Sequence, residues 1–302
     1  MSSHDTVGAA APLSPASPNC PSVACVILNW NGWQDSLACL AAVAEIEYAH
    51  ISVIVVDNGS TDDSVAHIRA AFPAVELIEN GTNLGFGAGN NVALRVVMSR
   101  SVDYVWLLNN DTRPKPDALT ELVRKAETDK KLGAVGSVLF YADQPGRVQA
   151  WGGGGVNVWF GRSWHATARV AESSLLYLTA ASVLLRCSAL AEIGLFDEEF
   201  FLYWEDADLG FRLRKGGWGL GVADGSVVLH KEHASTGRDY GVLSRHVVAS
   251  GIHFLLKHSP LPSVSVALFL LFRMAKQLLT GRWRMLVPVF AGIGDYYRRR
   301  RE

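Results

Sequence analysis

Three carboxylates stand within four positions in the run Phe200-Phe201-Leu202-Tyr203-Trp204-Glu205-Asp206-Ala207-Asp208-Leu209-Gly210-Phe211-Arg212, directly after a group of aromatic residues. Like charges this close resist simultaneous ionisation, so at least one carboxyl group should keep its proton toward neutral pH. A carboxylate tuned in that way suits a general base that takes a proton from a sugar hydroxyl. The same acids also suit a helix N-terminus, where they complement the macrodipole and Asp208 pairs with Arg212 at i+4. Spacing alone leaves both roles open.

Other polar sets close apolar runs. Asn29-Trp30-Asn31-Gly32 follows Val23–Leu28, and Asp57-Asn58-Gly59-Ser60-Thr61-Asp62 follows Ile51–Val56. Asp57 sits early for an Asx-turn or helix cap, whereas Ser60 and Asp62 suit those jobs. Asn109-Asn110-Asp111 follows Tyr104–Leu108, and His230 closes Val227-Val228-Leu229. Asp111 is an oxygen donor of the kind a hard divalent cation takes, and Asn109 offers a neutral carbonyl. His230, with His233 as substitute, is an imidazole that Mn²⁺ tolerates beside carboxylate, or simply a structural residue at a strand end. Asn83-Leu84-Gly85-Phe86-Gly87-Ala88-Gly89-Asn90-Asn91 precedes a helix, and its small residues let backbone N–H groups approach an anion. It is not a dinucleotide fingerprint, which would need a glycine at Asn90 and a place after the first strand.

These residues require a scaffold that gathers them. Short β-branched runs (Val23–Leu28, Ile51–Val56, Val75–Ile78, Tyr104–Leu108, Ala134–Phe140) alternate with helical patterns (Asp35–Glu45, Asp62–Phe72, Ala88–Arg100, Pro116–Thr128). That alternation predicts an α/β fold with a doubly wound, mostly parallel sheet. Ligands of such sheets sit outside the carboxyl ends of the strands, where Asn29, Asp57, Asn58 and Asn109 to Asp111 fall. Gly146 to Arg169 is rich in Gly and Trp, predicting either a flexible loop or a mobile cover whose aromatic faces stack on sugar rings. Beyond residue 235 the pattern is helical: Val242–His258, Val264–Leu279 and Trp283–Tyr297.

Taken in order, the elements at Asn29–Gly32, Val55–Asp62, Asn83–Asn91, Asn109–Asp111 and Gly194–Trp218 resemble the signature of bacterial family 2 glycosyltransferases, with closest likeness to rhamnosyltransferases of cell-surface polysaccharides. Thr179-Ala180-Ala181-Ser182 resembles the strand that floors their sugar site. The resemblance spans residues 22 to 235 and implies a glycosyltransferase A-type nucleotide-sugar-binding fold. It implies an inverting enzyme with a nucleotide-diphosphate sugar donor, dTDP-L-rhamnose favoured, and a saccharide or lipid-linked saccharide acceptor. On that footing Asp206 is the base, with Glu205 and Asp208 as neighbours that orient the acceptor or the loop. Asp57 contacts the nucleobase. Asn29, Asn58, Asn83, Gly85, Asn90, Asn109, Asn110, Thr179 and Trp204 line the substrate site. Asp111 and His230 hold Mn²⁺ or Mg²⁺. The family's acidic metal motif has a carboxylate where this chain has Asn109. A polyprenyl-phosphate sugar synthase is the alternative enzyme, and a non-catalytic module binding a saccharide or a partner is the alternative binder. A nucleotidyltransferase would need a basic, Gly-rich triphosphate loop after the first strand, which Asn29 to Gln34 does not provide.

With 302 residues and 49% hydrophobic content the chain can bury a full core, and its net charge of −1 gives no global signal for nucleic acid. The four cysteines show no CxxC spacing and read as reduced thiols. Residues 1–21, rich in Ala, Pro and Ser, read as a disordered leader without the basic start of a signal peptide. From Arg273 onward eight basic residues face only Asp295 and Glu302. The stretch Leu261 to Phe272 is too short to span a bilayer. Residues 236–302 are therefore expected to form a basic helical region, peripheral on the inner face of the cell membrane or packed as a cap or oligomer contact, in a cytoplasmic protein.

Overall fold

The computed structural model describes residues 20–231 and 240–299; most of the expected leader, His233 and the last three residues lie outside them. The strands are β1 (Val23–Asn29), β2 (Ile51–Asp57), β3 (Glu76–Glu79), β4 (Tyr104–Asn109), β5 (Thr112–Pro114), β6 (Leu132–Tyr141), β7 (Gln144–Trp151), β8 (Gly153–Asn157), β9 (Arg162–His165), β10 (Tyr177–Leu178), β11 (Ser182–Arg186) and β12 (Gly219–His230). The helices are α1 (Trp33–Ala44), α2 (Ser64–Ala71), α3 (Phe86–Met98), α4 (Ala118–Thr128), α5 (Cys187–Ile193), α6 (Glu205–Lys215), α7 (Tyr240–His258), α8 (Pro262–Leu279) and α9 (Leu286–Arg299).

One nine-stranded sheet runs β3-β2-β1-β4-β11-β6-β12-β5, with β7 paired to β6. β1 is parallel to both β2 and β4, and β6 is parallel to β12. β11 is the reversed strand between β4 and β6. The sheet is thus mixed, with the parallel majority that the alternating pattern predicts. The register pairs Asn29 with Asp57 and Leu28 with Asn109, which brings three polar strand ends to one edge. The chain order reverses between β1 and β4, the switch point at which such sheets open a crevice.

Buried apolar residues cover both faces of this sheet. Cys25, Ile27, Leu40, Trp106 and Leu119 belong to one cluster, and Val26, Ile54, Leu94, Leu107 and Leu190 to the other. The near-continuous apolar strands match burial on both sides. A third cluster joins Tyr177, Phe200 and Trp204 to Phe254, Phe269, Val289 and Tyr296, so α7, α8 and α9 pack against the segment that leads into α6.

The Gly- and Trp-rich segment is not a loop. It forms β7 and then a separate three-stranded sheet, β10-β8-β9. Its glycines allow close backbone approach: a Cβ on Gly153 would lie 1.9 Å from the Tyr177 carbonyl oxygen, and one on Gly154 would lie 1.7 Å from that of Trp164. The C-terminal apolar stretch is also longer than expected. α8 continues through Arg273 and Lys276 to Leu279, and its 18 residues with mean hydropathy 1.3 are long and apolar enough to cross a membrane, although only 11% of them are buried.

Candidate active site

A cavity of about 580 Å³ opens at the carboxyl ends of β1 and β4. Its walls include Leu28 at the end of β1 and Trp30 beyond it, Asn58 after β2, and Asn83 and Gly85 before α3 with Phe86 at its start. They also include Asn109 at the end of β4 with Asn110 and Asp111 beyond it, and Thr179 to Ala181 before β11. Glu205 and Asp206 at the start of α6 and His230 at the end of β12 complete it. β11 contributes because it runs against β4: Ser182 pairs with Leu108, and the Asn109 amide donates to the Ala181 carbonyl at 3.0 Å.

A layer of buried side chains holds these walls from behind. The Asn29 carboxamide donates to Asp57 Oδ1 at 2.8 Å and accepts from the Ser36 hydroxyl at 2.6 Å. Asp57 also accepts from the Ser60 amide at 2.9 Å and the Ser60 hydroxyl at 2.6 Å. Asn110 donates to Ser36 Oγ at 3.0 Å. Asn58 donates to Asn83 Oδ1 and to the Gly85 carbonyl, both at 3.0 Å, and accepts from the Leu84 amide at 3.1 Å, which fixes the loop before α3. Asn90 donates to the Phe86 carbonyl at 2.9 Å within α3. Gly85 adopts φ +85° there, and a Cβ would stand 2.3 Å from the Phe201 carbonyl oxygen. Only glycine fits that turn.

In the wall of the cavity His230 Nε2 lies 3.2 Å from Asp111 Oδ1. Gln149 Oε1, on β7, accepts from His230 Nδ1 at 2.7 Å. An amide oxygen can only accept, so Nδ1 carries the proton and Nε2 is the atom turned to Asp111. An outer hydrogen bond that fixes the tautomer of a histidine is the usual support of a metal ligand. Among the described residues no group of three or more His, Cys, Asp or Glu side chains converges. One carboxylate and one imidazole nonetheless fit a divalent cation that takes its remaining ligands from phosphate oxygens and water.

At the start of α6 the carboxylates are sorted by environment. Tyr203 and Trp204 both take left-handed backbone angles, φ 68° and 74°, immediately before α6. Two successive non-glycine residues in that region store strain of about 1–3 kcal/mol each. The third apolar cluster holds them there, with the Trp204 ring tilted at 33° to that of Phe254 and 4.7 Å from it. The turn directs Glu205 and Asp206 into the cavity. Burial, then the neighbouring Asp206 charge, pushes the Glu205 carboxyl up to about 8. Burial pushes Asp206 up to about 6, against hydrogen bonds from backbone amides that favour its charged form. Glu205 Oε2 is buried without a hydrogen-bond partner among the described residues.

Asp208 is elsewhere. It is fully buried and turned to α7, where His258 Nε2 lies at 2.7 Å and Lys257 Nζ at 2.8 Å, and Arg212 Nε of its own helix lies at 2.7 Å. Burial raises its pKa, but the His258 hydrogen bond and the Arg212 and Lys257 charges outweigh that and hold it below the ordinary value. The expected crowding of three acids therefore reduces to a pair, and burial contributes more than repulsion.

Of the residues singled out from the sequence, Asn58, Asn83, Gly85, Asn109, Asn110, Asp111, Thr179, Glu205, Asp206 and His230 line this one cavity. Asn29, Asp57 and Asn90 are buried and do not line it, and Asp57 spends its carboxylate on Asn29 and Ser60. Trp204 lines an adjoining cavity. His165, Phe201, Tyr203 and His246 line the first cavity without having been singled out. His246 stacks on Phe201 at 4.9 Å, and His253, two turns further along α7, lies 3.1 Å from Asp197. That seven-residue histidine spacing was the available signal that α7 faces the site.

Residues 24–194 match the family model described as Glycosyl transferase family 2. The chain is 29% identical over 248 residues to the N-acetylglucosaminyl-diphospho-decaprenol L-rhamnosyltransferase of Mycobacterium tuberculosis, covering 73% of this chain and 80% of that protein. Among solved structures it resembles the mannosyltransferase PcManGT from Pyrobaculum calidifontis in complex with GDP-Man and Mn²⁺, with TM-score 0.62 and 18% identity over 95% of this chain and 89% of the other. It also resembles residues 1–349 of S. aureus TarS in complex with UDP-GlcNAc, with TM-score 0.58 and 15% identity over 92% of this chain and 81% of the other. Fold, switch-point cavity and family match agree: the chain has the glycosyltransferase A-type fold and belongs to glycosyltransferase family 2.

Proposed function

We propose that this glycosyltransferase moves an L-rhamnosyl group from dTDP-L-rhamnose to a saccharide carried on a lipid diphosphate, with inversion at the anomeric carbon, in bacterial cell-surface polysaccharide synthesis. The carrying observation is that one cavity is lined by the Asp111 and His230 pair together with the Glu205 and Asp206 pair. The name of the mycobacterial relative supports the choice of sugar and of acceptor.

In this reading the acceptor oxygen bonds to the anomeric carbon from the face opposite the leaving group. The anomeric carbon–oxygen bond breaks, its electron pair departs on the diphosphate, and the hydroxyl proton passes to Asp206. Glu205, largely protonated at neutral pH, donates a hydrogen bond to a sugar oxygen. A divalent cation, Mn²⁺ or Mg²⁺, held by Asp111 and His230 would supply positive charge to the departing diphosphate. Asn58, Asn83 and Gly85 shape the nucleotide end, and Asp57 supports it through Ser60 and Asn29. Positioning of both substrates supplies much of the remaining acceleration. The basic, apolar C-terminal helices keep the protein peripheral on the inner face of the membrane, beside a lipid-linked acceptor.

Incubating purified protein with dTDP-L-rhamnose, UDP-galactofuranose, GDP-mannose or UDP-GlcNAc, a prenyl-diphosphate saccharide and Mn²⁺ tests this by mass spectrometry of the product. Transfer from dTDP-L-rhamnose above the other donors is expected. Preferential transfer from another donor would overturn the sugar assignment, and no transfer or donor hydrolysis from any would favour the binding-module alternative.

A further inference from the structure

A second cavity, of about 370 Å³, shares with the first the side chains of His165, Tyr203, Glu205 and Asp206 and extends from them to β9 and α8. Its size lies within the range of small-molecule sites, about 300–1,000 Å³. Arg162 from β9 and Arg273 and Lys276 from α8 line it, and none of the three lines the first cavity. Two carboxylates line the same space, yet none of these cations takes part in an ion pair among the described residues.

Aromatic rings hold the guanidinium groups instead. Arg273 lies over Phe269 at 5.0 Å and Arg162 over Phe272 at 5.5 Å. Cation–π contact orients a guanidinium while leaving its N–H groups for an anion. Burial lowers the Arg273 pKa, to about 10. Phe160 and Phe272 meet edge-on at 6.4 Å beside these cations. From there the exposed residues Leu271, Phe272 and Leu278 continue along α8.

We propose that this second cavity is the acceptor subsite and that it takes a lipid diphosphate: Arg162, Arg273 and Lys276 bind the diphosphate, and the hydrocarbon tail leaves along the exposed apolar face of α8. The assignment rests on the glycosyl-transfer reading above. It explains why Glu205 and Asp206 stand on the boundary shared by two cavities, since an acceptor hydroxyl must meet the donor at the base.

Titration calorimetry on the full chain with farnesyl diphosphate, farnesol and dTDP tests it. Farnesyl diphosphate should bind and farnesol should bind at least about tenfold more weakly, because the charge-assisted hydrogen bonds are lost. Arg273→Gln and Arg162→Gln should each weaken farnesyl diphosphate binding by about tenfold or more and leave dTDP affinity within about twofold. Arg162 is exposed, so its substitution tests the assignment without disturbing the core. Undetectable farnesyl diphosphate binding, or unchanged binding in both variants, would overturn the subsite. A parallel loss of dTDP binding would assign the cations to the donor and overturn it equally. Wild-type protein that fails to bind dTDP would instead remove the nucleotide-sugar reading, which separates the two failures.

Discussion

The Phe86 amide donates to the Phe201 carbonyl at 2.7 Å, and this bond ties the loop before α3 to the segment that aims the carboxylates. Gly85 makes the approach possible. Gly85→Ala forces a left-handed alanine and a Cβ into the Phe201 carbonyl, so it should destabilise the fold by at least about 1–3 kcal/mol. Denaturant midpoints read the effect. An unchanged midpoint would mean that the loop and Phe201 segment move apart at little cost.

Asp206→Asn and Asp208→Asn should fail in different ways. The first removes the proposed general base and should lower kcat about 10²–10⁴-fold with the fold intact. The second leaves Arg212 and Lys257 short of a buried counter-charge and should cost on the order of 3 kcal/mol in stability. Turnover and melting temperature measured on both variants decide it. Wild-type turnover in Asp206→Asn would move the base role to Glu205.

Glu205 should make stability depend on pH. Its folded pKa is raised to about 8, so the stability it contributes is fully present below the unfolded carboxyl value of about 4.3 and is lost as pH rises through 8. Glu205→Gln cannot ionise. It should be on the order of 1–3 kcal/mol more stable than wild type at pH 7, with little difference near pH 4. Melting curves from pH 4 to about 8.5 check the sign. Activity should meanwhile fall below about pH 6 as Asp206 takes up its proton.

Asp111→Ala should abolish the gain in donor affinity that Mn²⁺ confers. Gln149→Leu, which touches only the far nitrogen of His230, should weaken the metal effect by about 10–100-fold. Donor titrations with and without Mn²⁺ distinguish them. An undiminished metal effect in Asp111→Ala would put the ion elsewhere.

Leu279, Trp283, Val287 and Phe290 are exposed beside Arg282 and Arg284 where α8 passes into α9. Each basic residue near an anionic surface adds about 1 kcal/mol. Leu279→Glu with Val287→Glu should therefore release the protein from anionic liposomes in co-sedimentation, and recovery equal to wild type would sink membrane contact at this corner.

Much of this architecture was legible because strand runs and polar strand ends are local signals. Asn58, Asn109 and Asp111 follow apolar β runs, and parallel register then carries them to one edge. Contacts made across the chain were not legible. Asp208 lies two positions from Asp206 in sequence, but its partners His258 and Lys257 come from α7, some fifty residues along the chain. Gln149 and His165 lie in a segment whose glycines resemble a loop, since glycine that permits flexibility and glycine that permits backbone contact are the same letter. The helical pattern of α8 was legible through to Leu279, but its apolar length was cut at Phe272 because Arg273 and Lys276, which line a cavity, interrupt the run.

β11 enters the sheet against its neighbours, so Thr179 to Ala181 arrive beside the end of β4, where Asn109 to Asp111 leave it. Everything between those two points departs from and returns to the same rim. Within that excursion α4 and β6 belong to the core and the main sheet, so it is the β8–β9 hairpin of the small sheet that can be exchanged between relatives, or shuffled by an engineer, with both anchorages kept. On the proposed assignment of the two cavities, acceptor choice is then free to diverge without retooling the residues that handle the nucleotide.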